Sequence, residues 1–309
     1  MPLSWWRLEQ EALPELEESL LWKLQQLGIP RVAIRYRPEQ PSQRQLVAWL
    51  PEADWPEPER RRLVEALASL AEPFGLEPAP VRWERQDDED WSLSWKEHWE
   101  PDPVGRRLLI LPAWLELPPE HADRLVIRMD PGSAFGTGSH PTTRLCLEAI
   151  EELALERGDG GPAPAGLAGW QVADLGCGSG ILGIAALLHG AARVAAVDVD
   201  PLAVRATREN AAVSGFQDRL AARQGSVEEL VPLLTAGPAD LLLCNILAPV
   251  IEALCPAFST VLAPGGVGLL SGLLVHQAPR LEGVLAGEGW HAELAAQQSQ
   301  WGLLRIWKA

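Results

Sequence analysis

The chain has 309 residues, 47% of them hydrophobic and 22% charged, a composition typical of soluble globular proteins and long enough for two domains with separate cores. Its formal net charge of -16 argues against a non-specific nucleic-acid binder and against a protein held on anionic membranes, because both need a basic face. Acidity suits a cationic partner, but it is equally common in cytosolic proteins as a solubility feature.

The N-terminal segment MPLSWWRLEQEALPELEESL has no basic region followed by an apolar core, so we expect no signal peptide. No apolar run is long enough to span a bilayer. The four cysteines show neither paired metal spacing nor a disulfide framework; they are Cys146, Cys177, Cys244 and Cys255. We therefore expect buried, reduced thiols, no metal and a cytoplasmic location.

Residues 1–82 predict a small α+β domain. SWWRLEQ is typical of a strand, and the leucines that follow it have helical spacing up to Gly28. Two short β segments come next (31–37 and 45–50), then a helix whose apolar face runs from Leu63 to Phe74, and a closing strand at 80–85. The order β-α-β-β-α-β is typical of a ferredoxin-like sandwich. The leucines indicate a buried hydrophobic core. For the domain as a whole, binding of a partner is the default expectation.

Residues 83–103 predict a linker. The acidic run QDDEDW precedes SLSWKEHWEP, in which Trp91, Trp95 and Trp99 would share one helical face. Packing of the rings onto a neighbouring element is favoured over a substrate surface, and a structural role is favoured for His98. The 104–309 domain then opens with two predicted strands, at 105–112 and 125–129.

The stretch MDPGSAFGTGSHPTTRLC (129–146) predicts a second ligand loop. Its glycines allow a close approach of the backbone to a ligand, and Phe135 and His140 are expected to project from it. Thr142 or Thr143 could cap the helix that follows, whose N-terminal amides suit a carboxylate or phosphate. A turn plus a helix cap is the less favoured alternative. After that helix, the Gly/Pro/Ala-rich insert Gly158 to Gly169 predicts a mobile surface loop.

From residue 170 onward, strand and helix patterns alternate, which predicts a mostly parallel, doubly wound sheet with helices on both faces. The final two strand patterns, 292–297 and 303–307, could pair antiparallel. Ligands on such sheets bind at the carboxyl ends of the strands. Four residues fall at predicted carboxyl ends and should line one pocket: Gly176, Asp198, Ser226 and Asn245.

The stretch VADLGCGSGILGIAALLHGAARVAAVDVD (172–200) decides the cofactor class. A dinucleotide site needs G-x-G-x-x-G, whereas here the pattern is Asp174-x-Gly176-x-Gly178-x-Gly180. A carboxylate at Asp174 would repel a pyrophosphate and favour a cation, and S-adenosylmethionine carries a sulfonium and an ammonium. With Asp198 placed to accept ribose hydroxyls, the pattern resembles the class I methyltransferases. An NAD-dependent oxidoreductase is the less favoured alternative.

Four segments, in this order, narrow the resemblance from the class I methyltransferases to a single family: MDPGSAFGTGSHPTTRLCLEA, VADLGCGSGILGIAA, AVDVDPLAV and NILA. They resemble the PrmA family, the methyltransferases of the eleventh large-subunit ribosomal protein, over most of residues 86–275. The first 80 residues agree in length and predicted order. The resemblance implies a substrate-recognition domain, a flexible linker and a catalytic domain. It further implies transfer of methyl groups to lysine side-chain and N-terminal amines of that ribosomal protein. Another amine substrate, RNA or a small molecule, is the alternative.

The resemblance also implies site residues. Four would contact the cofactor: Thr143, Gly176, Asp198 and Asn245. Phe135 and the loop Gly136, Thr137 and Gly138 would close over its methionine end, and the motif itself adds Asp174 and Gly178. Asn245 is the candidate for orienting the amine. The sequence departs from the family at Ser139 and in the Gly/Pro/Ala insert. Neither membrane association nor direct nucleic-acid binding is expected.

Overall fold

A computed structural model describes residues 4–29, 31–37, 40–86, 99–130, 136–157 and 166–308. The chain divides into two compact units, one formed by Met1–Glu100 with Gly132–His140 and the other by Pro101–Pro131 with Pro141–Ala309. The predicted boundaries placed 132–140 in the second domain, whereas the described part of this segment, 136–140, groups with the first unit. Several predicted features lie outside the described residues: Trp91, Trp95, His98, Gly132, Phe135 and the insert from Gly158 to Ala165.

The first unit contains four strands and two helices: β1 (Trp5–Glu11), α1 (Glu17–Gln26), β2 (Val32–Arg37), β3 (Gln40–Pro51), α2 (Glu57–Ala68) and β4 (Arg82–Gln86). The strands lie in the order β2-β3-β1-β4, and every pair is antiparallel. The predicted β-α-β-β-α-β sequence is therefore confirmed, with the strand order of a ferredoxin-like sheet.

The helices of the first unit cover one face of this sheet with the predicted leucines. The buried core includes Leu16, Leu20, Leu21 and Leu24 around α1, Leu63 and Leu67 of α2, and Leu8, Leu46 and Leu50 of the sheet. Trp99 packs against this core, in agreement with a packing role for the linker tryptophans. Helix α2 ends at Ala68, earlier than expected, and Phe74 lies in a short 3-10 turn. Pro73 lacks the N–H that a continuing α-helix needs.

The second unit contains the remaining elements: β5 (Asp102–Val104), β6 (Leu108–Pro112), β7 (Leu125–Met129), α3 (Pro141–Arg157), β8 (Gln171–Leu175), α4 (Ile181–Leu188), β9 (Arg193–Asp198), α5 (Pro201–Val213), β10 (Leu220–Gln224), α6 (Val227–Leu230), β11 (Ala239–Asn245), α7 (Ala248–Leu254), α8 (Phe258–Val261), β12 (Leu262–Leu274), α9 (Ala278–Gly287), β13 (His291–Gln298) and β14 (Trp301–Trp307). Strands β5, β6 and β7 form a small sheet of their own.

The main sheet of this unit has seven strands in the order β10-β9-β8-β11-β12-β14-β13. The first five are parallel, and β14 runs antiparallel to both β12 and β13. All five residues of β8 are buried, as expected for a strand covered by helices on both faces. The predicted doubly wound sheet with an antiparallel last strand is confirmed. Among the described residues, no helix has the length and apolar composition to cross a bilayer.

Two local predictions differ from the structure. The segment from Gly105 to Pro112 is not one strand: Gly105, with φ +53°, turns the chain between β5 and β6. The sequence Pro264-Gly265-Gly266 predicts a turn. It lies instead inside β12, where the pairing of Ala239 with Leu262 shifts to that of Leu241 with Val267. The four residues between Leu262 and Val267 bulge from the sheet, so the strand continues past the turn signal.

Candidate active site

Three adjacent parallel strands bring the predicted site residues to one edge of the main sheet. Strand β8 lies between β9 and β11, with Leu175 in register with both Val197 and Cys244. One residue further along each strand are Gly176, Asp198 and Asn245. These three residues therefore lie side by side at the carboxyl ends of the strands, where ligands bind in open α/β sheets.

The glycine turn after β8 has a left-handed backbone at Gly176, Gly178 and Gly180, with φ of +76°, +54° and +82°. Such angles strain any residue with a Cβ. The amides of Gly176 and Cys177 both donate to the carbonyl of Val197, at 2.9 and 3.0 Å. A Cβ at Gly176 would also lie 2.4 Å from Cγ2 of Ile246. Glycine at this position is thus required by both conformation and space.

Asp198 is bonded to the glycine turn through its carboxylate. Oδ2 accepts the N–H of Gly178 at 2.9 Å, and Oδ1 accepts the N–H of Asp200 at 3.0 Å. Burial raises the pKa of Asp198, while the two amide bonds oppose that shift. Each carboxylate oxygen has two lone pairs, so both oxygens can accept a further hydrogen bond from a vicinal diol.

Asp174 lies within β8 and is only 1% exposed. Its Oδ2 accepts the N–H of Gly183 in α4 at 3.1 Å, whereas Oδ1 is buried without a hydrogen-bond partner in the described part of the chain. Burial raises the pKa of Asp174 to about 7, and the negative charge of Asp198 adds to the shift. An unpaired buried carboxylate oxygen creates a negative potential that a nearby cation would stabilise.

Thr143 and Asn245 connect α3 to the end of β11. The Nδ2 of Asn245 donates to Oγ1 of Thr143 over a long 3.4 Å, which leaves the amide oxygen of Asn245 as an acceptor. The predicted capping role of Thr142 or Thr143 is wrong, because α3 begins at Pro141 and both threonines are buried within its first turn. Proline is favoured at this first helical position, where its missing N–H costs nothing.

The turn that follows Asn245 is enclosed by two glycines of neighbouring strands. Ile246 contacts the position of Gly176 on one side, and on the other a Cβ at Gly272 would lie 2.2 Å from its carbonyl oxygen. Gly272 also has a left-handed φ of +83°. The backbone at Ile246 therefore has little freedom, which fixes where the amide of Asn245 lies.

The described part of the second predicted loop is bonded within the first unit. Glu18 of α1 is buried and accepts the N–H of Gly136 at 3.1 Å and the N–H of His140 at 2.8 Å. Gly136 and Gly138 have φ of +97° and +96°, in the left-handed region that favours glycine. Closure of Phe135, Gly136, Thr137 and Gly138 over a cofactor stays a prediction.

His140 does not project from this loop as expected. Its side chain is 4% exposed, and Nε2 lies 3.3 Å from the carbonyl oxygen of Glu15. Burial lowers the pKa of His140 to about 4, because the imidazolium form is poorly solvated there. The imidazole of His140 is therefore neutral at pH 7 and buried in this structure.

Two residues of α5 hold the glycine turn, although neither is among the site residues predicted from the sequence. Thr207 and Asn210 are 0% and 1% exposed, and their side chains donate to the carbonyls of Gly178 and Ser179 at 2.9 Å. The signal was present in the sequence as two polar residues on a helix face that is otherwise apolar (Ala203, Val204, Ala206 and Ala211).

The cysteines agree with the predicted structural role. All four are free and buried. Burial raises the pKa of the Cys146 thiol, and those of Cys177 and Cys244 are raised for the same reason. Among the described residues, no group of three or more metal-binding side chains is arranged to hold a metal ion.

Residues 4–308 match the family model described as "Ribosomal protein L11 methyltransferase (PrmA)". The chain belongs to this family. A ribosomal protein L11 methyltransferase of Synechococcus sp. (strain RCC307) is 61% identical over 99% of this chain and 98% of its own length. Another, from Synechococcus elongatus (strain ATCC 33912 / PCC 7942 / FACHB-805), is 43% identical over 97% of this chain and 96% of its own.

A solved structure supports the same family at lower identity. The ribosomal protein L11 methylase of Lactobacillus delbrueckii subsp. bulgaricus is 32% identical, covers 68% of this chain and 99% of its own, and superposes with a TM-score of 0.56. The PrmA match also includes residues 4–85, which the sequence motifs did not reach. The protein is therefore a methyltransferase of the PrmA family along its whole described length.

Proposed function

We propose that the protein transfers methyl groups from S-adenosylmethionine to lysine side-chain and N-terminal amines of ribosomal protein L11. The observation that carries the proposal is the match of residues 4–308 to the PrmA family. The side-by-side placement of Gly176, Asp198 and Asn245 at adjacent carboxyl ends of the sheet supports a site for that activity at this edge.

The residues at this edge fit the chemistry of S-adenosylmethionine. The Asp198 carboxylate can accept the two ribose hydroxyls while it keeps its bonds to Gly178 and Asp200. The unpartnered Oδ1 of Asp174 supplies a negative potential suited to a cationic ligand. When bound, S-adenosylmethionine supplies an electrophilic methyl group on a positively charged sulfur.

The acceptor amine must be uncharged to act as a nucleophile. A lysine side chain with a pKa of about 10.4 needs about 4.6 kcal/mol to be neutral at pH 7, whereas an α-amino group with a pKa of about 7.7–8.0 needs only about 1–1.4 kcal/mol. An N-terminal amine is therefore the easier substrate. A lysine additionally requires desolvation or a nearby positive charge to lower its pKa.

Asn245 is the residue proposed to orient that amine. Its Nδ2 is engaged by Thr143, so its Oδ1 is available to accept a hydrogen bond from an amine N–H. The turn at Ile246, confined by Gly176 and Gly272, keeps the amide in place. Positioning of this kind lowers the barrier of a displacement reaction without a general base on the protein.

We assign the first unit, with the linker 83–103, to recognition of the ribosomal protein, and we place the reaction in the cytoplasm. The first unit has a leucine-rich core. The sequence of residues 1–82 contains no pattern of a nucleophile, metal cluster or phosphate loop, which supports a binding role.

The deciding experiment incubates the protein with S-adenosylmethionine and ribosomal protein L11 isolated without its methyl groups. Mass spectrometry of the intact substrate should show increments of one methyl group, and peptide mapping should place them on lysines and the N-terminus. An RNA transcript and free lysine serve as parallel acceptors. Methylation of either of these with an unchanged L11 mass would contradict the proposed substrate. Binding of the cofactor without transfer to any acceptor would contradict the proposed activity.

A further inference from the structure

Helix α5 carries a polar stripe that faces the glycine turn and strand β7. Thr207, Asn210 and Ser214 follow one another at spacings of three and four residues, so they share one face of the helix. Thr207 and Asn210 are fully buried, which is unusual for polar side chains unless they are hydrogen-bonded. Each of the three makes such a bond to a backbone atom outside the helix.

Thr207 lies directly on the glycine turn. Its Oγ1 donates to the carbonyl of Gly178 at 2.9 Å and lies 3.2 Å from the thiol sulfur of Cys177. A Cβ at Gly180 would lie 2.9 Å from Cγ2 of Thr207. The helix and the turn are therefore in van der Waals contact as well as hydrogen-bonded.

Asn210 uses both ends of its amide. Nδ2 donates to the carbonyl of Ser179 in the turn at 2.9 Å, and Oδ1 accepts the N–H of Asp130, just after β7, at 2.9 Å. The same helix begins next to Asp198, since the N–H of Asp200 donates to Oδ1 of that residue. One helix thus holds the turn, the residue after β7 and the proposed ribose-binding carboxylate.

We propose that Asn210, assisted by Thr207, is a positioning residue that fixes the glycine turn in the conformation that binds the cofactor. The inference rests on the cofactor site proposed above. An asparagine suits this role because its amide donates and accepts at the same time, whereas leucine does neither and an ionised aspartate only accepts. Loss of the donor removes this hydrogen bond from the carbonyl of Ser179 and with it one of the contacts that hold the turn.

The test measures the dissociation constant of S-adenosylhomocysteine by calorimetry, together with the melting temperature of each ligand-free variant. Asn210→Leu and Asn210→Asp should each raise the dissociation constant at least about tenfold. Thr207→Val should raise it as well, and Thr207→Ser, which keeps the hydroxyl, should restore it to within about threefold of the wild-type value. Glu209→Ala on the exposed face and Ser214→Ala, whose hydroxyl reaches only Arg128, should remain within about twofold.

A purely structural role predicts a lower melting temperature with an unchanged dissociation constant. That result in the Asn210 variants would overturn the inference. If Asn210→Leu does not fold, Thr207→Val and Thr207→Ser provide the test. Equal affinities of these two variants for S-adenosylhomocysteine would overturn the inference. Failure of the wild-type protein to bind S-adenosylhomocysteine would instead overturn the proposed cofactor site, so the two failures are distinguishable.

Discussion

The carboxylate of Asp198 and the backbone N–H of Gly178 are joined by a hydrogen bond of 2.9 Å, although 20 residues separate them. The bond connects the end of β9 to the turn after β8, the two elements proposed to hold the ribose and the rest of the cofactor. A substitution at Asp198 therefore has two consequences: it removes the ribose acceptor and it releases an amide of the turn.

Asp198→Ala should weaken the binding of S-adenosylhomocysteine at least about 100-fold. Two hydrogen bonds to a charged group are lost, each contributing about 1.5–3 kcal/mol, and about 1.4 kcal/mol corresponds to a tenfold change in affinity. Calorimetric titration measures the effect. Asp218→Ala, which removes an exposed carboxylate, is the matched control and should bind normally. Near-normal affinity of Asp198→Ala would remove the ribose assignment.

Gly272→Ala should disturb the turn after Asn245. The new Cβ would lie 2.2 Å from the carbonyl oxygen of Ile246 in a backbone with φ +83°, so the turn must shift. We expect the melting temperature to fall by about 4–10 °C and the turnover number to fall with it.

Gly283→Ala is the control for the preceding change, because this helical glycine has nothing within 4 Å of the added Cβ. It should stabilise the protein by about 0.5–1 kcal/mol through helix propensity and leave turnover unchanged. Equal melting temperatures for both alanine variants would show that the turn at Ile246 tolerates the displacement.

Asp174→Asn should change how stability depends on pH. The pKa of Asp174 is raised from 3.8 to about 7 in the folded protein, so the folded state holds a proton that the unfolded chain has released. The contribution of the protonated Asp174 to the free energy of unfolding is therefore fully present below about pH 4, and it is lost as the pH rises to about 7. Asparagine does not titrate, so the free energy of unfolding of the variant lacks this dependence. Relative to wild type, that free energy should rise by about 2–3 kcal/mol as the pH increases from 5 to 8.

Urea unfolding of both proteins across that pH range measures this gain. Asp218→Asn, at an exposed site, is the control and should give a constant difference from wild type. Parallel curves for Asp174→Asn and wild type would mean that Asp174 is ionised throughout the range. The same variant should bind S-adenosylmethionine more weakly at pH 8, because the negative potential is gone.

Thr143→Val and Asn245→Ala form a double-mutant cycle across the contact between α3 and β11. Asn245→Ala should lower kcat/KM by about 100-fold or more if its oxygen orients the amine. Thr143→Val should lower kcat/KM by less than about tenfold, because the hydrogen bond between Thr143 and Asn245 is long at 3.4 Å. Thr143→Ser keeps the hydroxyl and is the control.

The cycle separates two roles of Thr143. If its hydroxyl only orients the amide, its effect on kcat disappears in the Asn245→Ala background. If it also contacts the cofactor, as the family resemblance implies, its effect on the affinity for S-adenosylhomocysteine persists there. Full additivity in kcat would contradict the orienting role.

Local patterns in the sequence were sufficient for much of the architecture. The leucines of α1 and α2 bury the predicted face of each helix, because helical periodicity determines which side chains face the core. Strand β8 is buried on both faces, as expected for a central parallel strand. The glycines at 176, 178 and 180 with Asp198 likewise predicted a nucleoside site, since they form one local strand-turn-helix unit and the strand beside it.

Long-range contacts were not predictable in this way. The bulge in β12 and the burial of His140 each depend on a partner distant in the chain, β11 and Glu15 respectively, whereas the capping error at Thr143 arose because α3 begins at Pro141. The role of Thr207 and Asn210 was missed for the same reason, because a polar residue on a buried helix face has meaning only once its partner is known.

The sequence by itself determined that a glycine turn and an acid lie at the ends of neighbouring strands, which predicts a cofactor site of the methyltransferase type. Spacing along the chain is enough for that, since neighbouring parallel strands end at the same edge of a sheet. Only the tertiary structure decided what holds that site in place. The N–H of Gly178 donates to Asp198 at the end of β9, and the carbonyls of Gly178 and Ser179 accept from Thr207 and Asn210, which packing of α5 brings to the turn.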